Sequence, residues 1–380
     1  MIVEKLSSNI DAKAYLKELG VDGGGVNILA AKSKTHIISI KDLNVGGANI
    51  LKQDALSIGA DLAVPRGTVL ATTPKVDTLL IATTAQLKTL ARKELAQPFG
   101  LKELAQKLQE ITRVKRESEV EVMGIINAND DSFFSQSRFQ ASDAIKKIEM
   151  MIEEGASIID IGGVSSAPNA KDVSQEEELT RVKPIFDLIK EKELFKKVAF
   201  SVDSYEPKVV EYALKSGFKI VNDITGLEND KVAELCAKYE AKIVIMHMQG
   251  KPQTMQENPH YDNVLDDVYS FLKQRVEKAE KFGIEDIVLD VGIGFGKTLE
   301  DNLRLIKHLE HFLTLGKPLL VGASRKSMIA HIDNSEVKER LAGTLSIHLE
   351  SVRNGASILR VHDVKEHVQA IKVQKALDSI

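Results

Sequence analysis

Residues 197–223 read KVAFSVDSYEPKVVEYALKSGFKIVND, which is one strand–helix–strand pattern. Its two apolar runs carry Val, Ile and Phe on both faces, as parallel strands that are buried on both sides require. Between them, residues 208–216 have helical periodicity and stop before Gly217, which suits the left-handed position at a helix end. Asp203 and Asn222 place a polar group near the C-terminal end of each run.

This pattern recurs along most of the chain. Apolar runs predict eight strands, at residues 121–128, 156–163, 197–204, 219–226, 241–248, 286–293, 317–323 and 356–362. Helical stretches alternate with them, at residues 142–154, 175–189, 208–216, 230–239, 263–282, 301–311, 335–354 and 364–377. Eight such units in about 260 residues predict an α/β fold, a (β/α)₈ TIM barrel. A doubly wound open sheet is the structural alternative, but eight regular units favour closure.

The N-terminal part of the chain has a different pattern. Shorter apolar segments and two helical stretches predict a small α/β domain over residues 1–100, whose role the sequence does not show. The run Gln97-Pro98-Phe99-Gly100 marks a break, after which residues 101–120 are predicted to form a helical connector. The barrel domain is then expected to span residues 121–380.

Composition excludes several classes of protein. The net charge is −4 over 380 residues, so no global basic field is present to hold nucleic acid. The single Cys236 rules out an intramolecular disulfide and a multi-cysteine metal site, and its helical context predicts an inert buried thiol. The N-terminus lacks the pattern of a signal peptide, and no apolar run approaches the roughly 20 residues that span a bilayer. We therefore expect a cytoplasmic protein.

Polar residues near the strand ends are expected to share one mouth, because parallel barrel strands end at the same face. Asp203 and Asp290, with Asn222 between them in the chain, suit a flat heterocycle with an amidine-like edge, since carboxylates accept from adjacent N–H donors. An acid at a strand end can instead cap the following helix, but a cap explains one residue at a time. These residues predict an enzyme with a polar pocket.

Cationic residues follow the last two predicted strands. Ser324-Arg325-Lys326-Ser327 follows the seventh, and Arg360 and His362 end the eighth. These late loops of barrels often bind phosphate, for which Arg offers a forked donor set and Lys a movable charge. Ser327 begins the next helical turn, where backbone N–H groups attract anions. A solvated basic loop is the alternative interpretation.

Three further features have structural explanations. His247 lies in an apolar strand, where a lone histidine is more often a packed, hydrogen-bonded core residue than a base. Asp160 is equally compatible with a buried structural acid. The glycine-rich runs at 162–163 and 292–296 lack the spacing of dinucleotide or phosphate-loop sites, so a nucleotide cofactor is not expected.

Taken in order, these strings resemble dihydropteroate synthase, an enzyme family of folate biosynthesis. The resemblance covers residues 121–373, about two-thirds of the chain. The matching pieces are Gly124–Asn127 with Asp131-Ser132-Phe133, Asp160–Gly163, Val202–Tyr205, Asn222–Ile224, Met246–Met248, Leu289-Asp290 with Gly292–Lys297, Ser324–Ser327 and Arg360–Val364. Each piece is weak alone, but their family order on successive strands is highly specific.

The resemblance implies a transferase that joins a hydroxymethyl-dihydropterin pyrophosphate to para-aminobenzoate by a dissociative displacement. It assigns the pterin pocket to Asp203, Asn222, Asp290 and Lys326. It assigns pyrophosphate and para-aminobenzoate binding to Asn127, Ser166, Phe133, Ser327, Arg360 and His362. Catalytic roles fall on Lys326, Asp131, Arg360 and His362, and Mg²⁺ is implied near Asn127. The family resemblance also implies a homodimer that acts on small molecules, without nucleic acid or membrane partners.

The sequence departs from the family pattern in its mobile loops. Asn129-Asp130 replaces the usual Thr-Pro, Ala167 replaces an arginine, and Val291 replaces a proline. Arg138 is a candidate to supply the missing charge, on the ground of its place in the first loop alone.

Two alternatives remain beside the synthase. A pterin-binding methyltransferase barrel shares the pterin pocket but lacks the late-loop anion site that Lys326, Arg360 and His362 predict. A non-catalytic pterin-binding homologue is compatible with the altered loops, because a fold and a pocket do not guarantee chemistry.

Overall fold

The computed structural model describes residues 1–7, 10–114, 116–117, 119–128, 137–165 and 172–378, with the backbone alone for 137–140. Within it the chain divides into two compact units, Met1–Val114 with Lys375–Ile380, and Lys115–Gln374. No helix of the described residues is both long enough and apolar enough to cross a membrane.

The first unit is a three-stranded antiparallel sheet with helices. Its strands are β1 (Thr35–Asn44), β2 (Asp61–Ala63) and β3 (Lys75–Thr83), in the order β1-β3-β2. Its helices are α1 (Ala12–Glu18), α2 (Gly23–Ser33), α3 (Val45–Ser57), α4 (Thr84–Glu94) and α5 (Leu101–Arg113). Burial alternates along β3, so one sheet face packs on the core while Leu79 and Ile81 on the other are exposed.

Helix α5 lies in this first unit. Its Leu101, Leu104 and Leu108 join Leu51 of α3 and Leu80 of β3 in one buried cluster. The three leucines recur at helical spacing, which gives α5 an apolar stripe that must be buried. Residues 101–113, which the sequence placed in a connector, therefore form part of the core of the N-terminal unit.

The second unit is a closed barrel of eight parallel strands, as predicted. The strands are β4 (Glu121–Asn127), β5 (Ile158–Gly162), β6 (Ala199–Asp203), β7 (Ile220–Asp223), β8 (Lys242–Met246), β9 (Ile287–Asp290), β10 (Leu319–Val321) and β11 (Ala356–Val361). Each pairs with the next in sequence, and β11 pairs with β4 to close the ring. The sheet order confirms the barrel and excludes the open doubly wound sheet.

Helices connect the strands. They are α6 (Ser137–Glu153), α7 (Gln175–Glu191), α8 (Pro207–Lys215), α9 (Asp230–Lys238), α10 (Val264–Lys281), α11 (Leu299–Lys307), α12 (Ser327–Asp333), α13 (Leu341–Arg353) and α14 (Val364–Asp378). The stretch 335–354, expected to be one helix, enters α13 only at Leu341. The short α12 begins at Ser327, where a helix start was expected, although its end was not predicted; Asn334 ends it in the left-handed conformation, at φ 58°.

An apolar layer fills the barrel below its polar mouth. It consists of one inward residue from each of seven strands, with Ala199 of β6 packed against them: Met123, Ile158, Ile220, Val244, Val288, Leu320 and Ile358. All seven side chains are almost fully buried. This apolar barrel layer closes the barrel interior, so chemistry is confined to the C-terminal ends of the strands.

Candidate active site

Strand register brings the predicted polar residues to one mouth. Asn127 at the end of β4 pairs with Gly162, Gly162 pairs with Asp203, and Asp203 pairs with Asn222. Asp290 ends β9 on the far side of the ring. The four predicted side chains thus all lie at the C-terminal ends of their strands, which is where (β/α)₈ enzymes place their reacting groups.

Arg360 lies between two carboxylates in this mouth. Its Nε donates to Oδ2 of Asp160 at 2.6 Å, and its Nη2 donates to Oδ2 of Asp203 at 2.6 Å. Asn222 Nδ2 also donates to Asp160 Oδ2, at 3.2 Å. Asp160 is completely buried, and its Oδ1 has no hydrogen-bond partner within the described residues. Asp160, to which the sequence assigned no site role, is thus the acid that joins Arg360 to Asn222.

The charges in this cluster shift one another's ionisation. Burial raises the pKa of Asp203, and the neighbouring Arg360 opposes that rise. Burial would lower the pKa of Arg360, but Asp160 and Asp203 more than offset it, so the pKa is raised. Arg360 therefore carries a permanent positive charge inside a pocket lined by acids, where electrostatic interactions are strong.

Asp290 and Lys326 form the opposite side of the pocket. Asp290 Oδ1 accepts from the N–H of Gly292 at 2.7 Å, and burial raises the pKa of this carboxyl. Lys326 Nζ donates to the carbonyl of Ile293 and lies 4.2 Å from the centre of the Phe295 ring. Burial lowers the pKa of Lys326 to about 8, although the charge of Asp290 favours its protonated form. Lys326 is thus a cation that can lose its proton near neutral pH.

The loops after β10 and β11 are bonded to each other. Ser324 Oγ accepts from the N–H of His362 at 3.3 Å and lies 2.9 Å from its Nδ1. Arg325 Nε donates to Asp363 Oδ2 at 3.0 Å, and a second guanidinium nitrogen reaches the other carboxylate oxygen. Arg325 is therefore used for loop structure, whereas Ser327, at the start of α12, is exposed.

His247 is a core residue, as predicted. Its ring packs edge-on against Phe271 with centroids 4.9 Å apart, and its Nδ1 lies 3.0 Å from Nζ of buried Lys297. Burial and the charge of Lys297 lower the pKa of His247 to about 2. Lys297 also donates to the carbonyls of Gly292 and Phe295, at 3.0 and 2.9 Å. The pair fixes the loop after β9, and His247 remains neutral.

Two acids near the mouth were not assigned roles from the sequence. Within the described residues, Asp223 bonds its own loop, accepting from the N–H of Thr225 at 2.7 Å and of Leu227 at 3.1 Å. Glu178 on α7 is almost fully buried, and burial raises its pKa to about 7, with the charge of Asp203 adding to the rise. Glu178 lies four residues before Val182, so it falls on the apolar stripe of its helix. A carboxylate on such a stripe is the sequence feature from which this acid could have been found.

Several predicted residues lie outside the described residues: Asp131, Phe133, Ser166, Ala167 and the side chain of Arg138. Their roles stay predictions. Asn127 is described and its side chain is exposed at the end of β4. In the described part of the chain, no group of three or more His, Cys, Asp or Glu side chains is arranged to hold a metal ion. Buried Cys236 is a free thiol, as predicted.

Known proteins match both the barrel and the full chain. The family described as pterin binding enzyme matches residues 123–362. The dihydropteroate synthase of Escherichia coli is 43% identical over 67% of this chain and 90% of its own length. A Helicobacter pylori protein named bifunctional dihydropteroate synthase/dihydropteroate reductase is 42% identical over 100% of this chain and 99% of its own.

A solved structure matches the barrel. The dihydropteroate synthase of Xanthomonas albilineans, solved with 4-aminobenzoic acid, aligns with a TM-score of 0.64 and 36% identity over 69% of this chain and 94% of that one. The family match, the sequence relatives and the solved structure all indicate the same family that the acids and cations at the mouth suggested. The chain belongs to the dihydropteroate synthase family of pterin-binding enzymes.

Proposed function

We propose that the barrel condenses 6-hydroxymethyl-7,8-dihydropterin pyrophosphate with para-aminobenzoate, giving 7,8-dihydropteroate and pyrophosphate. The observation that carries this proposal is the meeting of Asp203, Asn222, Asp290 and Lys326 at one mouth, in a chain of this family. The reaction breaks the bond between the pterin methylene and the pyrophosphate oxygen, whose electron pair leaves with pyrophosphate. The amine then bonds to the methylene and loses a proton.

The acids recognise the pterin. Asp203 and Asp290 accept from the 2-amino group and the ring N–H, while Asn222 holds the neighbouring edge. Lys326 donates to the ring carbonyl and N5. Its side chain reaches from the loop after β10 to Phe295 in the loop after β9. Because Asn222 and Asp290 are buried and Asp203 and Lys326 are partly buried, each bond to the ring is stronger than it would be in water. They fix the plane of the ring and the direction of its methylene.

The cation Arg360 and the neutral ring of His362, whose pKa is lowered to about 4 by burial, assist departure of pyrophosphate. In a dissociative displacement, negative charge accumulates on the leaving oxygen before the amine bonds to the methylene. Arg360 and His362 sit on the β11 end of the mouth, and Ser327 stands at the start of α12 beside Lys326. These groups stabilise the anion, and no covalent nucleophile is required. Ser327 and Phe133 are assigned to para-aminobenzoate, and Asp131 to catalysis, from the family resemblance alone.

Magnesium is proposed as the cofactor. Mg²⁺ prefers oxygen ligands and usually takes one or two from protein, with the rest from water and substrate phosphates. The exposed side chain of Asn127, one strand from Gly162, offers an amide oxygen where the pyrophosphate is expected. A bound Mg²⁺ would neutralise charge on the leaving group. Loss of activity on chelation, and its return with added Mg²⁺, would support this assignment.

Pyrophosphate release tests the synthase. The full chain is incubated with the pterin pyrophosphate, para-aminobenzoate and Mg²⁺, and released pyrophosphate is measured. We expect release that requires both substrates and falls at least about a hundredfold in Asp203→Ala or Lys326→Ala. Asp187→Ala, an exposed acid paired with Lys183, serves as the control. Pterin binding without release would favour the non-catalytic homologue instead.

We also propose that the chain reduces dihydropteroate. The Helicobacter pylori relative, whose name includes this reductase, matches the N-terminal unit as well as the barrel, whereas the Escherichia coli synthase covers two-thirds of the chain. The reaction adds a hydride from a reduced nicotinamide or flavin in solution to C6, and a proton from water to N5, which reduces the N5=C6 bond of the dihydropterin ring. Anaerobic oxidation of either donor that depends on dihydropteroate would support it, and no oxidation with both donors would contradict it.

A homodimer and a cytoplasmic location stay predictions. Val337 and Val373, in the last part of the barrel unit, are each 56% exposed, which provides apolar surface for association. Light scattering at several concentrations measures the mass of the particle, and a mass near the 41.8 kDa of one chain at all of them would contradict the dimer.

A further inference from the structure

Two buried histidines link the loops that follow β10 and β11. The N–H of Ala323, just after β10, donates to Nε2 of His348 at 3.0 Å. Nδ1 of His348 lies 2.9 Å from Nε2 of His367, and Nδ1 of His367 lies 2.6 Å from the carbonyl of Asp363, just after β11. His348 on α13 and His367 on α14 thus complete a chain of three hydrogen bonds.

Only one arrangement of protons satisfies this chain. His348 Nε2 faces a backbone donor, so it is an acceptor and its ring proton is on Nδ1. That proton is donated to His367 Nε2, which leaves the proton of His367 on Nδ1 for the carbonyl of Asp363. Burial lowers the pKa of both rings, so both are neutral, as the chain requires. An asparagine or glutamine in place of either histidine would form one of its two hydrogen bonds and lose the other.

Two further contacts, from α13 and the residue before it, hold the loop after β10. Thr344, one turn before His348 on α13, accepts from the N–H of Arg325 at 3.0 Å. Arg340 Nη1 donates to the carbonyl of Arg325 at 3.0 Å. Arg325 itself has a positive φ of 56°, which costs backbone energy in a residue other than glycine and is held by surrounding contacts. The histidines therefore belong to the frame that sets the backbone just before Lys326.

We propose that His348 and His367 are positioning residues that hold the two loops of the anion site at a fixed separation. The loop after β10 carries Ser324 and Lys326, and β11 carries Arg360 and leads to His362. A pyrophosphate group spans these two sets of donors, so its affinity depends on their spacing. The inference rests on the proposed function, because that function assigns pyrophosphate to these loops.

Two substitutions of His348 separate its two bonds. Gln places an amide oxygen where Nε2 lies, so His348→Gln keeps an acceptor for Ala323. Asn places its amide where Nδ1 lies, so His348→Asn keeps the donor to His367 and leaves the Ala323 N–H without an acceptor. Ser351→Ala is the matched control, since Ser351 is buried on the same helix and its hydroxyl donates to the carbonyl of Ile347, a bond within that helix.

Calorimetric titration with inorganic pyrophosphate and Mg²⁺ is the measurement. We expect His348→Asn and His348→Gln each to lose about tenfold or more in pyrophosphate affinity, because each breaks one bond of the hydrogen-bond chain that links the two loops. Ser351→Ala should stay within about threefold. An unchanged affinity in either folded His348 variant would overturn the inference. Absence of both binding and pyrophosphate release in the unsubstituted chain would instead refute the proposed function, and this inference with it.

A second measurement uses the unsubstituted protein, so it does not depend on whether a variant folds. Nitrogen-15 spectra of the unsubstituted protein report which ring nitrogen of each histidine carries a proton. We expect protonated Nδ1 and bare Nε2 in both His348 and His367. The opposite tautomer in either ring, or a doubly protonated ring at neutral pH, would overturn the chain on which the inference depends.

Discussion

At the scale of single residues, the site is a set of charges whose burial changes their chemistry. Lys326 and Arg360 are both cations within an acidic mouth, but they respond to burial differently. The pKa of Lys326 is lowered to about 8, whereas the pKa of Arg360 is raised by Asp160 and Asp203. Arg360 therefore gives a constant charge, and Lys326 gives one that depends on pH.

We predict that kcat/KM for the pterin pyrophosphate falls as pH rises through about 8, because free Lys326 loses its proton there. Below that pH the lysine is protonated and can donate to the pterin. In Lys326→Arg the charge persists, so the decline near pH 8 should disappear although the maximal rate is lower. A decline at the same pH in the arginine variant would assign it to another group. The measurement is a pH–rate profile of both proteins.

Glu94 of α4 provides a second prediction at this scale. The side chain is fully buried, and burial together with the charge of Asp54 raises its pKa to about 7. The folded state thus binds a proton that the unfolded state has lost, so stability falls as pH rises from about 4.5 to 7. Glu94→Gln should raise the free energy of unfolding by about 1 to 3 kcal/mol at pH 8 and leave it nearly unchanged at pH 4. Denaturant unfolding at both pH values measures this, and an equal effect at both would contradict it.

At the scale of elements, the loop after β9 is set by close backbone approach. A Cβ at Gly292, where φ is +69°, would lie 1.8 Å from the carbonyl oxygen of His247. No side chain fits there, so this glycine is required by both space and backbone conformation. The loop carries Ile293 and Phe295, the two contacts of Lys326.

We predict that Gly292→Ala displaces this loop and lowers pterin affinity at least about tenfold, because the contacts of Lys326 move with it. Gly283→Ala is the control, since Gly283 also has a positive φ but has no atom within 4 Å of its Cβ position. That change should cost about 1 kcal/mol of stability and leave binding unchanged. Fluorescence titration with a pterin compares the two, and equal affinities would contradict the prediction.

The strands and part of the site could be predicted from the sequence, whereas long-range contacts could not. Strand periodicity located all eight barrel strands, and polar residues at their ends indicated Asp203, Asn222 and Asp290, because both signals are local. The partners of Arg360 could not be inferred, since Asp160 lies 200 residues away in sequence and meets it only through barrel closure. Helix α12 is too short for periodicity to detect. Which of the two units contains α5 depends on tertiary packing.

At the scale of the whole molecule, two units carry two proposed activities. Each has a hydrophobic core of its own, with Leu80 fully buried in the first and Leu320 fully buried in the second. The Escherichia coli synthase matches 67% of the chain, while the relative named as both synthase and reductase matches all of it. The N-terminal unit is therefore the part of the chain in which we look for the proposed reductase.

We predict that Leu80→Ala lowers the free energy of unfolding of the first unit by about 2 to 5 kcal/mol, because it leaves a cavity in its core. Near the midpoint of that transition, reductase activity should be lost before synthase activity. Leu320→Ala should reverse the order. Thermal inactivation of both activities in each variant measures this, and loss of the two activities together in both variants would contradict the assignment.

The apolar barrel layer lies beneath the residues of the rim, and the two groups should tolerate substitution differently. Residues at the rim line the mouth where substrates are proposed to bind, while the layer beneath supplies the cohesion of the barrel. The rim can therefore change under selection by inhibitors with little cost in folding. A screen of random substitutions under such selection would recover survivors from the loops far more often than from Met123, Val244 or Leu320.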